Sequence, residues 1–329
     1  MEKFLESNPI SRSQIYKELK QLKDDLLEAQ WGLKEATTEY EKEDLKEYIN
    51  YLKMELGWRL IDCGDYEGGL ILYQSLPSKT HGEYKANGVA RALLEMRRFD
   101  DARKTLVEGL KQYPKSSCLW NSLGNVLLEL NNELEALKVF EVALKFALPE
   151  GEASILYNKS LALNRLGYYG DAEGILQELI KKNPNNPDYI IEMGYCSLYR
   201  RDSNDAIDWF LKAKTLGHSC PEIYDGLYCV YRGMSLWSES LEIALRGLQE
   251  FPEAPRFYEL VGHAYMERKW LGDAKDIIEK GLKKFPDDEG LKELLEKVGD
   301  ETDDPHGGEI LGLLLIVAAV SAHKKLRKK

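Results

Sequence analysis

The sequence predicts an all-α fold, a solenoid of antiparallel helix pairs closed by helical caps. Three observations carry it: a ladder of small residues at a near-constant interval, two further ladders at fixed offsets from it, and apolar stripes of helical spacing on either side. The first ladder is Gly69, Ala102, Ala136, Ala172, Ala206, Ser240 and Ala274, its widest gap lying between Ala136 and Ala172. Seven residues after each rung stand Leu76, Gly109, Ala143, Leu179, Ala213, Gly247 and Gly281. Twelve before each stand Gly57, Ala90, Gly124, Ser160, Gly194, Tyr228 and Gly262. Repetition at such a period marks a repeat architecture.

Two helices of three to four turns, with two connecting turns, use roughly 34 residues, which is the spacing of the rungs. A small residue in each helix lets the axes approach at their crossing, and larger neighbours fill the ridges around it. Trp120, Leu123, Leu127 and Phe140 serve one unit, Tyr224, Leu227 and Tyr231 another, and Tyr258, Tyr265 and Ile278 a third. Pro114, Pro184, Pro252 and Pro286 end four of the second helices, because proline has no N–H with which to continue them. Seven units then fill residues 50–286.

The stretches LWNSLGNVLLELNNELEALKVFEVALKFALP and LYNKSLALNRLGYYGDAEGILQELIKKNP resemble the pattern of the tetratricopeptide repeat (TPR) family. That resemblance implies a right-handed superhelix and a concave surface, lined by the first helix of each pair, on which partner peptides lie. The first two units depart from it, with Lys53 and Ala86 at the Trp120 site, and the first has Gly69 where alanine is usual. The first unit is therefore expected to pack more loosely than the others.

A solenoid must cap its apolar ends. Downstream, residues 287–298 put Leu291, Leu294 and Leu295 on one face of a capping helix. Upstream, in residues 1–49, Ile15, Leu19, Leu22, Leu26, Ala29 and Leu33 form a narrow apolar stripe. Thr38 and Glu41 then make a capping-box signature that restarts a helix running into the first repeat. A stripe of about three heptads fits a hairpin folded on that repeat better than a dimerising coiled coil.

The formal charge of −11 speaks against a nucleic-acid partner, whose phosphates need Lys and Arg. Five scattered cysteines form no C-x-x-C pair and are expected to be buried or half-buried thiols. His81 and His218 fall in expected inter-repeat turns at the surface, and His263 on a first helix. No metal-ligand spacing, phosphate loop or nucleophile–base arrangement stands out, so neither catalysis, cofactor nor metal is expected. The amino end has no apolar core behind a basic start, and the body is expected to face the cytoplasm.

By helical phase, the first helices turn Tyr84, Asn87, Arg91, Asn121, Asn125, Tyr157, Asn158, Asn164, Arg165 and Tyr195 away from the second helices. Asn can donate and accept toward an extended backbone, Tyr offers area with a polar tip, and Arg grips carboxylates. These residues are the candidate groove for peptide segments of other proteins. The sequence does not set the oligomeric state, and a self-assembling structural solenoid is the alternative.

After an acidic linker, residues 299–308, comes an apolar segment with a basic tip, residues 309–329. It contains Ile310, Leu311, Leu313, Leu314, Leu315, Ile316, Val317 and Val320, then Lys324, Lys325 and Arg327. The run from Ile310 to Ala322 carries no charge. This layout resembles tail-anchored proteins and implies attachment to membrane lipid, although the run is shorter than the roughly 20 residues needed to span a bilayer core. The alternative is a cytosolic adaptor whose tail packs on itself or on a partner.

Overall fold

The structure is a computed structural model that describes residues 12–300. Among those residues there are sixteen α-helices and no strands. The chain divides into two compact units, the first ending at Tyr189 and the second beginning at Ile190.

The first unit opens with α1 (Arg12–Glu35) and α2 (Glu39–Asp62), which pack together as a hairpin. Leu19, Leu26 and Ala29 of α1 are buried against Ile49, Leu52, Leu56 and Leu60 of α2. The capping box forms in full: Thr38 Oγ1 accepts from Glu41 N at 3.2 Å, and Thr38 N donates to Glu41 Oε2 at 3.1 Å. These bonds, to the Thr38 backbone first, lower the Glu41 carboxyl below the usual carboxylate range. One helix thus serves both the hairpin and the first repeat, and position 49 falls inside it.

Helix pairs follow. The first repeat joins α2 to α3 (Tyr66–Gln74), and the second joins α4 (Ser78–Glu95) to α5 (Phe99–Gln112). The third joins α6 (Ser117–Glu129) to α7 (Glu133–Phe146), and the fourth α8 (Pro149–Arg165) to α9 (Tyr169–Lys182). The fifth pairs α10 (Pro187–Tyr199) with α11 (Ser203–Thr215), and the division between units falls in α10. Then come α12 (Pro221–Gly233) with α13 (Trp237–Glu250), and α14 (Pro255–Glu267) with α15 (Leu271–Lys284). The cap α16 (Glu289–Asp300) buries Leu291, Leu294 and Val298; it reaches two residues into the stretch expected to be linker.

All seven rungs are buried, Ala102 at 0% exposure and Ser240 at 1% among them. The wide gap between Ala136 and Ala172 is absorbed without a longer loop. Helix α8 has 17 residues where α6, α10, α12 and α14 have 13. Close approach requires glycine at Gly226, where a Cβ would lie 2.3 Å from the Phe210 ring. Phe210 is itself fully buried, worth ~1.5–3 kcal/mol relative to exposure.

Two expectations need correction. The first repeat is not loosely packed: a Cβ on Gly69 would come within 2.5 Å of Ile61 Cγ1 and 2.9 Å of the Gly57 carbonyl oxygen. Glycine replaces alanine there because the crossing is tighter. His81 is not a surface residue either. It lies inside α4 at a non-helical backbone position (φ −123°, ψ 21°), 6% exposed, with Nε2 3.4 Å from Glu47.

The turns between paired helices form a further ladder. Gly64, Arg97, Asn131, Gly167, Arg201, Ser235 and Lys269 all have positive φ, each five residues before its rung. In every case the next N–H returns to a carbonyl five residues back, as in Asp65 to Leu60 at 2.8 Å and Trp270 to Tyr265 at 2.9 Å. This Schellman geometry satisfies carbonyls left over at a helix end. Five of the seven residues are not glycine.

Candidate protein-binding site

In the first unit, α2 touches α4, α4 touches α6 and α6 touches α8, so four first helices lie side by side. Their faces carry the residues picked out for a groove, and most of these hold the neighbouring repeat. Asn87 Oδ1 accepts from Ser122 Oγ at 2.5 Å. Asn158 Nδ2 donates to Asn121 Oδ1 at 3.0 Å. Arg165 Nη1 donates to the Leu128 carbonyl at 2.6 Å, with Nη2 3.4 Å from Glu129. Arg91 Nη2 donates to Asp62 Oδ1 at 2.7 Å, and its guanidinium stacks 3.6 Å over the Trp58 ring.

The remaining candidates differ in availability. Tyr84 is 62% exposed, and Asn125 is half-buried. Tyr157 is half-buried, its ring 5.5 Å from that of Tyr189. Asn164 is 4% exposed, so it lies in the interior and is corrected from groove to core. Helical phase placed it at the edge of the face, where α8 turns inward.

Tyr195 belongs to the second unit, where its hydroxyl donates to the Glu222 carbonyl at 2.9 Å. Burial first, then the nearby Asp225 carboxylate, push its phenol well above the ordinary range. First-helix faces here are joined by charge. Arg256 donates to Asp225 at 2.8 Å and to Glu259 at 3.0 Å, and Arg232 donates to Glu267. Between them His263 is held below its usual pKa, by burial first and then by Arg232 and Arg256.

Cys118 is exposed, contrary to the expected burial of every thiol; the other four cysteines are buried or half-buried. Among the described residues no group of three or more His, Cys, Asp or Glu could hold a metal ion, and no helix is long and apolar enough to cross a membrane. The apolar and basic stretch 309–329 lies outside the described residues. Sequence reasoning missed the first repeat's contribution to the face, Tyr48, Tyr51 and Trp58 of α2, all exposed. The signal was present, since Trp58 precedes Arg91 by the same interval that separates the rungs Gly69 and Ala102.

Residues 90–155 match the family described as tetratricopeptide repeat. Among solved structures, the chain is similar to the APC/C hetero-tetramer Cut9-Hcn1, with 15% identity and a TM-score of 0.61 over 90% of this chain and 54% of that one. It is also similar to a tetratricopeptide repeat protein from Parabacteroides merdae ATCC 43184, with 15% identity and a TM-score of 0.60 over 76% of this chain and 98% of that one. Yeast Tom70 is similar at 14% identity and a TM-score of 0.57, over 90% of this chain and 62% of that one. The chain thus spans little more than half the length of the first of these. No curated protein matches it in sequence. The tetratricopeptide match thus lies within residues 90–155, and the solved structures share the fold of stacked helix pairs.

Proposed function

We propose that the protein is a non-catalytic scaffold that receives extended segments of partner proteins along its first helices and is tethered to a membrane by residues 309–329, its body facing the cytoplasm. The observation that carries the scaffold reading is the unbroken row α2, α4, α6 and α8. Its polar residues divide the work. Asn87, Asn121, Asn158 and Arg165 join the repeats and the Tyr157 ring packs beside Tyr189, so Tyr84 and Asn125 are taken as the contact groups. Replacing both by Ala should abolish capture of partners while the melting temperature stays near that of the parent. Capture that survives the double replacement moves the site off these helices. The tether rests on the charge-free run Ile310–Ala322 followed by five cations. The full chain should sediment with membranes and a version ending at Asp304 should not; equal solubility of the two refutes the tether.

A further inference from the structure

Helix α2 presents a face of unusual composition. At 100° per residue, Tyr48, Tyr51 and Trp58 fall in one sector, and all three are exposed. The same sector carries Asp44, Glu47 and Glu55, interleaved with the rings. Lys42, Lys46 and Lys53, the lysines of this stretch, project on the opposite side of the helix. Arg59, at the sector's border, is drawn toward Glu18 of α1 at 4.0 Å. The face is therefore aromatic and acidic with no cation of its own. Tyr84 of α4 extends it: the one-repeat offset that sets Arg91 on Trp58 also brings Tyr84 level with Tyr51.

The molecule already shows what such a surface accepts. Arg91 enters its edge with the guanidinium over the Trp58 ring at 3.6 Å and a 2.7 Å bond to Asp62. An aromatic ring and a carboxylate held together bind a guanidinium through its face and one of its N–H groups at once. Tyr51 with Glu55 and Tyr48 with Asp44 set a ring and a carboxylate one helical turn apart in the same way nearer the start of α2, where His81 of α4 lies against Glu47, 3.4 Å away, between them.

We infer that the exposed face of α2, continued by Tyr84, is the docking surface for an Arg/Lys-rich segment of a partner protein. The inference rests on the reading of the first helices as the partner-binding face and names the chemistry of the partner there. Arginine is favoured over lysine, because only the planar guanidinium stacks and bonds in two directions.

The test uses the full chain and a fluorescein-labelled peptide of alternating Arg and Leu, read by anisotropy, with the Glu-for-Arg peptide as its control. The Arg peptide should bind and the Glu peptide should not. The pair Asp44→Lys with Glu55→Lys should weaken binding by about tenfold or more, and Tyr51→Ala by several fold. A matched pair on the second helices, Glu135→Lys with Glu178→Lys, changes net charge equally and should leave affinity within about twofold. Circular dichroism melts establish that each variant is folded. Equal weakening by both pairs would reduce the effect to the net charge of the body and overturn the docking face. So would absence of Arg-peptide binding, or binding that appears only after residues 305–329 are removed, which would give the face to the chain's own basic end. Loss of partner capture is read separately in Asn125→Ala, which leaves α2 and Tyr84 intact, so either idea can fail alone.

Discussion

Repeats two to four and repeats six to seven solve one problem with different chemistry. Both must tie neighbouring first helices together on the face that the second helices leave open. In the earlier region amide ties predominate, Asn87 with Ser122 and Asn121 with Asn158, beside one exposed ion pair, Arg165 with Glu129. In the later region the ties are ionic, Asp225 with Arg256 and Glu259, and Arg232 with Glu267. Asn87, Asn121 and Asp225 occupy the same place in the repeat, fifteen residues before their rungs at 102, 136 and 240. The backbone therefore specifies where a tie forms and leaves its chemistry free. Amide ties should be indifferent to salt, whereas half-exposed ion pairs should weaken as salt screens them.

The largest effect should come from Arg256→Ala, which strands two half-buried carboxylates at once. Its cost, discounted for the half-exposed arginine, is about 1–2 kcal/mol in chemical denaturation and should shrink as salt is raised. Asn158→Ala should cost about 1 kcal/mol, with no salt dependence. Equal salt sensitivity of the two variants would erase the distinction between the regions.

Acid should separate them further. His263 sits only in the ionic region, and its folded-state pKa is depressed below the ordinary 6.5. The unfolded chain therefore takes the proton first, so His263 favours the folded state above that value and loses this contribution as pH falls through the lower folded one. Stability measured from neutral pH down through the histidine range should decline, and His263→Gln should flatten the decline. An unchanged slope in the variant would remove His263 from the account.

The smallest effect should be a gain common to both regions. Arg97 (φ 57°) and Lys269 (φ 63°) hold left-handed conformations that L-residues adopt at a cost. Replacing either by Gly should raise stability by about 0.5–1 kcal/mol, the turn strain relieved exceeding the flexibility added to the unfolded chain. Thermal melts of the two variants should move upward by similar amounts. A gain in one region alone would mean that the turns, like the ties, differ between them.

Much of the fold was legible because it is local and repeated. A rung such as Ala136 is small because two helices cross there, and the rule holds wherever the interval recurs. The turn ladder was harder to see: Arg97, Asn131, Arg201, Ser235 and Lys269 carry no glycine signature, so only the backbone angles reveal that they do the same job as Gly64 and Gly167. The site was legible in outline only. Phase alone marked Asn87, Asn121 and Asn158 as outward-facing, without showing that their partners were one another or the neighbouring repeat.

By itself, the sequence determined the number of helix pairs, the buried small residues and the capping box at Thr38, since each depends on residues within one or two turns or on a fixed interval. Only the tertiary structure decided that Asn164 and His81 are interior, that Gly69 marks a tighter crossing, and that Arg91 is spent on Asp62 and Trp58. The reason is distance along the chain. Those outcomes turn on side chains far apart in sequence, as Asn121 and Asn158 are, whose meeting depends on how successive helix pairs stack.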